Sequence, residues 1–339
     1  MAFNVLDFEK PLAELDANIA ELKRISEIEG VDRSKEIAEL EEHRERLAQQ
    51  IFSNLTPWDK TLIARHPNRP YTLDYVRAIF DEFVELHGDR LFADDNAIVG
   101  GIAFLNGKPI FVVGHQKGRD LKERQFRNFG SAKPEGYRKA LRLMKMAEKF
   151  GHPIIAFVDT PAADCSVGSE ERGIAEAIAR NMMEMAMLRT PIIVIVIGEG
   201  GSGGAIGLGV GNRVLMMEHA IYSVIPPEGC AAIIWRDPAK GPEAAEALKL
   251  TAQHALEFGL IDEVIPEPLG GAHRNYEAAT SAVREAIIRN LELLEKYTPD
   301  ELPAQRYDKF RKMGIFATTE PEKEEKGTKK LTKRGLKEG

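Results

Sequence analysis

The run Gly198-Glu199-Gly200-Gly201-Ser202-Gly203-Gly204-Ala205, directly behind the apolar stretch Pro191-Ile-Ile-Val-Ile-Val-Ile197, constrains this chain more than any other feature. A buried strand that empties into a glycine loop and a small-residue helix start presents bare backbone N–H groups at a positive helix end. Such a cluster binds an anion or a developing oxyanion.

Three chemistries share the pattern. Gly198-x-Gly200-x-x-Gly203 fits a dinucleotide fingerprint, with Glu218 as the acidic ribose partner. A nucleotide fold needs a full crossover helix here, whereas 203–211 is short, glycine-studded and yields to a strand-like run at 213–217. Gly200-x-Ser202-x-Gly204 fits a nucleophile elbow, with Asp262 and His273 following in hydrolase order. His273 lies in the polar turn Gly270-Gly-Ala-His273-Arg-Asn, which reads as a surface or interface position. The third reading needs no side-chain nucleophile. Backbone N–H groups of Gly203 and Gly204 form an oxyanion hole, and the glycines let a substrate carbonyl approach the main chain.

With 339 residues the chain can bury one large domain plus appendages. Its net charge of −7 is spread along the chain, which gives no support to nucleic-acid binding. Cys165 and Cys230 are too few for a disulfide framework or a four-ligand zinc site, so no metal is expected in this chain. The start lacks a signal-peptide pattern and no apolar run approaches the roughly 18 residues of a membrane span, so the chain reads as soluble and cytoplasmic.

Residues 1–58 carry apolar positions at helical spacing, broken at Gly30-Val-Asp-Arg-Ser34, which predicts a helical hairpin with Ser34 as an N-cap. Its role reads as packing, against its own body or a partner. An amphipathic helix is expected over 73–86. Strands follow at 98–104, 110–113, 154–158, 192–197, 214–217, 222–225 and 263–265, with helices at 134–149, 170–188, 228–236, 242–256, 274–297 and 300–313. This alternation means a mixed α/β body, here 59–314. The charged, low-complexity end, 315–339, reads as disordered.

Two further loops stand where strands end. Gly114-His-Gln-Lys117-Gly-Arg119-Asp120 offers cations for a phosphate-bearing substrate such as coenzyme A, or else pairs internally with Asp120 and Glu123. Asp159-Thr-Pro-Ala-Ala-Asp164-Cys165-Ser166-Val-Gly168 keeps its backbone open, and Asp164 is either a base or a turn cap. Cys165 has no histidine beside it in sequence.

Seven stretches in order resemble the carboxyltransferase alpha subunit of acetyl-CoA carboxylase, over residues 5–316. They are Leu6-Asp-Phe-Glu-Lys-Pro11, Arg65-His-Pro-Asn-Arg-Pro-Tyr-Thr-Leu-Asp-Tyr75, Gly114-His-Gln-Lys-Gly-Arg119, Pro134-Glu-Gly-Tyr-Arg-Lys-Ala-Leu-Arg-Leu-Met144, Ile197-Gly-Glu-Gly-Gly-Ser-Gly-Gly-Ala205, Pro227-Glu-Gly-Cys-Ala231 and Ile265-Pro-Glu-Pro-Leu-Gly-Gly-Ala-His-Arg274. The resemblance implies a crotonase-type spiral of ββα units in place of a doubly wound sheet. It implies transfer of a carboxyl group from carboxybiotin, carried on a biotin carboxyl carrier protein and charged by an ATP-using biotin carboxylase, to acetyl-CoA. The product, malonyl-CoA, feeds fatty-acid synthesis. It further implies a beta subunit bearing a zinc ribbon, in an assembly of two alpha and two beta chains. Carried onto this sequence, the catalytic positions are the backbones of Gly203, Gly204 and Ala162, and the substrate-binding ones are Lys117, Arg119, Gly168, Pro227, Glu228 and Gly229.

This chain departs from the family in one loop: members read Asp-Thr-Pro-Gly-Ala-Tyr-Pro-Gly where it has Asp159-Thr-Pro-Ala162-Ala-Asp164-Cys165-Ser166. Pro226 also replaces a serine before Pro227-Glu-Gly. Ala162 offers its N–H only if its φ is negative. Two rival readings stay open: a stand-alone acyl-CoA hydratase or isomerase with Asp164 or Glu170 as base, and a non-catalytic scaffold.

Overall fold

The computed structural model describes residues 5–314. Helices α1 (Lys10–Glu29) and α2 (Ser34–Phe52) form the arm. α1 stops at Gly30, which adopts the left-handed conformation that only glycine takes without strain. Ser34 is the first helical residue and not the cap: its N–H donates to Asp32 Oδ1 at 2.9 Å. Leu12, Leu15 and Ile19 form the buried stripe of α1.

The arm is fastened to the body by buried charge. Glu9 Oε1 lies 3.0 Å from His273 Nε2 and accepts from Arg274 Nε at 3.0 Å, while Arg274 reaches Asp16 at 3.2 Å. Burial pushes the Glu9 carboxyl up, but the His273 hydrogen bond and the charges of His273 and Arg274 outweigh it and hold it at about 2. His273 is therefore buried where the N-terminal segment meets the body, which excludes the surface alternative for its polar turn. Removing the carboxylate strands two partners, which typically costs about 3 kcal/mol. Glu9→Ala is expected to lower hydrogen-exchange protection in α1 while the sheet keeps its own. Unchanged protection in α1 would show that this lock does not hold the arm.

The body opens with α3 (Pro57–Ala64), started by a Thr56/Asp59 capping box with Pro57 in its first turn. Next come α4 (Thr72–Ile79), β1 (Phe83–Glu85), β2 (Ile98–Leu105) and β3 (Lys108–His115). The expected helix over 73–86 thus stops at Ile79, and its second half pairs as an edge strand with β2. Then follow α5 (Leu121–Phe126), α6 (Pro134–Phe150), β4 (Ile154–Thr160), α7 (Val167–Glu171), α8 (Ile174–Met187), β5 (Ile192–Gly201) and α9 (Ser202–Ile206). The chain continues through β6 (Arg213–Met217), β7 (Ile221–Ser223), α10 (Pro227–Trp235), α11 (Gly241–Leu248), α12 (Ala252–Glu257), β8 (Glu263–Ile265), α13 (Tyr276–Leu294) and α14 (Glu301–Arg311). The helices expected at 170–188 and 242–256 are each two. Gly173 at φ 77° breaks the first, and Lys249 at φ 53° with a Thr251 cap breaks the second. The tail from 315 lies outside the described residues.

The strands run β1-β2-β3-β4-β5-β6-β8, antiparallel up to β3 and parallel beyond it. This sequential order has no point at which strand order reverses, so it excludes the doubly wound sheet. Right-handed crossovers in one direction put successive helices on one face, and α6 and α8 do pack together. The register separates the faces. A Cβ on Gly100 would meet Leu143 of α6, whereas one on Gly114 would meet Thr72 of α4. β5 is the longest strand, and it changes neighbour: 193–196 pair with β6, and 199–201 pair with β7. At that switch the end of β5 still pairs with β4 through Gly200 and Thr160, after a register shift, and the glycine loop begins there.

Candidate active site

β5 is buried through Gly200, and its exit is held on both sides. Arg69, fully buried, donates through Nε to the Ile197 carbonyl at 2.7 Å and forks onto Glu267 at 2.8 and 2.5 Å. Most of the glycines beyond are required by close packing. A Cβ on Gly201 would sit 2.0 Å from the Pro161 carbonyl oxygen, one on Gly204 would sit 2.7 Å from the Ala162 carbonyl carbon, and one on Gly200 would sit 2.7 Å from the Tyr222 ring. Gly203 differs, its nearest neighbour being the Ile178 methyl at 3.5 Å. The glycine loop thus lies on the 160–163 backbone with Gly203 at the more open position.

α9 starts at Ser202, so the N–H groups of Ser202, Gly203 and Gly204 occupy its first turn and have no intrahelical acceptor. Ser202 sits at φ 51°, the strained turn a nucleophile elbow would use. No triad accompanies it. His273 faces Glu9, and Asp262 takes Lys309, Arg213 and the Val214 N–H. Among the described residues no histidine is paired with Ser202. His115, in the cation loop, is buried and held neutral at about 3 by burial and by the Lys117 charge. The dinucleotide reading fails as well: α9 is five residues long, and Glu218 Oε2 accepts the Glu267 N–H at 3.1 Å.

The altered loop is internally consistent. Ala162 is absent from the positive-φ residues, so alanine is tolerated there. Its N–H, however, faces the Thr160 hydroxyl at 3.3 Å, so Ala162 is not a free donor in this arrangement, a correction to the expectation for it. Asp164 accepts from Ser166 and Ser169 at 2.5 Å each and from Asn128 at 3.1 Å. Burial raises its pKa, and the three donors outweigh that, so it lies below the ordinary carboxylate value. A carboxylate held down in this way is a weak base and a good loop clamp. Cys165 is exposed, and Gly168, in α7, lies beside Arg172.

The expected phosphate-facing cations are committed elsewhere. Lys117 Nζ stands 2.7 Å from Asp159 Oδ1 and 2.7 Å from Glu199 Oε2, with the side chain only 12% exposed. Arg119 pairs with Asp74, donates to the Pro67 carbonyl at 2.9 Å and covers the Tyr71 ring at 4.7 Å. Of the 227–229 group, Glu228 binds Arg65 at 2.5 Å, and Arg65 also holds Glu199 at 2.7 Å. Pro227 and Gly229 form the first turn of α10 with Glu228. Sequence reading missed Arg65, Asp159 and Glu199 as site residues. Asp159 and Glu199 stood inside loops already singled out, whereas Arg65 is 134 residues from its partner Glu199.

Sequential strands with a switched β5 and a backbone-donor loop at its end define a crotonase-like fold. Solved structures agree on the fold. The 12S transcarboxylase crystal structure superposes with a TM-score of 0.54 at 20% identity, covering 67% of this chain and 42% of that one. The Pseudomonas malonate decarboxylase hetero-dimer superposes at 0.55 with 18% identity, covering 70% and 95%. A family model described as acetyl co-enzyme A carboxylase carboxyltransferase-like matches residues 5–314. Curated relatives named acetyl-coenzyme A carboxylase carboxyl transferase subunit alpha include that of Acaryochloris marina, 57% identical over 92% of this chain and 96% of its own length. The one from Syntrophotalea carbinolica is 60% identical over 91% and 97%. The chain belongs to the family of acetyl-CoA carboxylase carboxyltransferase alpha subunits.

Proposed function

We propose that this chain is the alpha half of a biotin-dependent carboxyltransferase that moves a carboxyl group from carboxybiotin to acetyl-CoA, giving malonyl-CoA for fatty-acid synthesis. The observation that carries the mechanism is a set of first-turn N–H donors at the exit of β5 with no imidazole paired to Ser202. Carboxybiotin, a substrate borne by a separate carrier protein, gives up its carboxyl group by breaking a C–N bond. Negative charge then gathers on the ureido oxygen. The N–H groups of Gly203 and Gly204 hold that oxygen, each donor contributing about 3 kcal/mol to lowering the barrier. The released carboxyl carbon bonds to the methyl carbon of acetyl-CoA, whose proton passes to the biotin nitrogen. A crotonase-like beta subunit supplies the matching donors for the acetyl-CoA enolate, and the two chains assemble in pairs.

Ser202 then serves through its backbone. Ser202→Gly, which also relieves the left-handed φ, is expected to keep turnover within about threefold. A loss beyond about a hundredfold with normal folding would restore the nucleophile. The stand-alone hydratase reading is tested in parallel with crotonyl-CoA and this chain alone: no hydration is expected, because of its two candidate bases Asp164 is clamped by three donors and Glu170 is exposed to water.

A further inference from the structure

Resting on the carboxyltransferase reading, we propose that Lys117 is a positioning residue: its buried ammonium joins Asp159 and Glu199 and so sets the 159–163 loop against the glycine loop that carries the oxyanion donors. Its Nζ is 2.7 Å from each carboxylate. Asp159 Oδ1 also accepts the Glu199 N–H at 2.9 Å, so one oxygen sees both the side chain of β3's exit loop and the main chain of β5. The contact is tight, since a Cβ on Gly198 would lie 2.5 Å from Asp159 Oδ1. Glu199 is in turn held by Arg65, whose other nitrogen holds Glu228 at the start of α10. From above, Gly130 at φ 81° presses on the Lys117 stem, where a Cβ would come within 2.8 Å.

Five charged groups from five segments therefore form one network: Arg65 and Lys117 against Asp159, Glu199 and Glu228. Within it, Lys117 bridges the two loops that pack at Gly201 and Gly204, beside the direct bond from the Glu199 N–H to Asp159. Without it Asp159 loses its cation, and the buried pair is relieved by a proton on one carboxyl or by the loops parting; either way the bridge between the loops is gone. Parting the loops moves the Gly203 and Gly204 donors, and a misplacement of about 1 Å can cost roughly a hundredfold in rate. Binding of coenzyme A, by contrast, gains nothing from an ammonium already shared by two internal carboxylates.

The test uses the complex of this chain with its beta subunit, assayed by carboxyl transfer from malonyl-CoA to biocytin, with coenzyme A affinity and stoichiometry measured by calorimetry. Lys117→Met is expected to lower kcat by about 100-fold. Coenzyme A is expected to bind at full stoichiometry with an affinity within about twofold. The double variant Lys117→Met/Asp159→Asn, which removes one of the stranded charges, is expected to be no slower than Lys117→Met alone, a non-additivity that independent sites do not show. Should Lys117→Met fail to fold, Glu199→Gln keeps the shape and halves the negative charge facing the lysine, with kcat expected to fall about tenfold.

An unchanged kcat in either variant overturns the proposal. So does a weakened coenzyme A affinity with kcat preserved, which would make Lys117 a phosphate contact. A wild-type complex with no transfer would overturn the carboxyltransferase reading itself and this inference with it, whereas an active wild type beside an equally active Lys117→Met overturns this inference alone.

Discussion

Gly204→Ala is expected to fold and to lose about 100-fold in carboxyl transfer, whereas Gly203→Ala, one residue away, stays within about fivefold. The difference comes from what a methyl group meets. At Gly204 it would lie 2.7 Å from the Ala162 carbonyl carbon, 2.8 Å from the Ala163 nitrogen and 2.9 Å from the Thr160 methyl. Two of these are main-chain atoms that cannot rotate away, so the donor loop itself must shift. At Gly203 only the end of Ile178 is near, at 3.5 Å, and the N–H is retained. Gly204→Pro removes the donor as well and is expected to leave no measurable turnover. Steady-state kinetics on the three variants, with circular dichroism to confirm folding, decides the matter. Equal losses at 203 and 204 would mean that the loop is sensitive for a reason other than backbone placement.

The second large effect concerns stability. Arg69 and Glu267 are both buried and joined by two hydrogen bonds, and Glu267 also accepts the N–H groups of His219 and Ala272 at 2.9 and 2.8 Å. Removing either partner leaves an uncompensated buried charge, at about 3–5 kcal/mol. Arg69→Met is expected to lower Tm by roughly 10 °C. The effect reaches the site, because Arg69 also holds the carbonyl of Ile197, where β5 enters the glycine loop.

The pair also sets an acid limit. Burial raises the Glu267 pKa, but Arg69 outweighs it and leaves the carboxyl at about 2, below its ordinary 4.5. A depressed carboxylate stabilises the fold above its unfolded pKa, and that stabilisation is lost as pH falls from about 4.5 towards 2. The shift corresponds to about 3 kcal/mol. In Glu267→Gln the acid side of the stability curve should flatten. An unaltered acid limb would mean that other carboxylates govern it.

How much of this was legible in the sequence follows from range. The strands β2 to β6 and the two helices α1 and α2 rest on patterns a few residues long, and those elements read correctly. Boundaries failed where a single backbone choice decides them: Lys249 turning left-handed, or the edge pairing that draws 83–85 out of a helix. The charged residues failed for another reason. Lys117 read as a phosphate contact or a partner of Asp120 and Glu123 because its carboxylates stand 42 and 82 residues away, and His273 read as a surface or interface position because Glu9 comes from the other end of the chain. A polar turn and a buried ion pair have the same local composition, and only the fold distinguishes them. The altered 162–166 stretch could be named from sequence, but the three donors on Asp164 that make it a held loop could not.

The measurement that bears most directly on the account is carboxyl transfer from malonyl-CoA to biocytin by this chain alone and then mixed with its beta subunit. Transfer only in the mixture is the expected result, since the proposed site takes one set of backbone donors from this chain and the other from its partner. Transfer by the chain alone would contradict a shared site, and no transfer from a stable, correctly assembled complex would contradict the carboxyltransferase assignment.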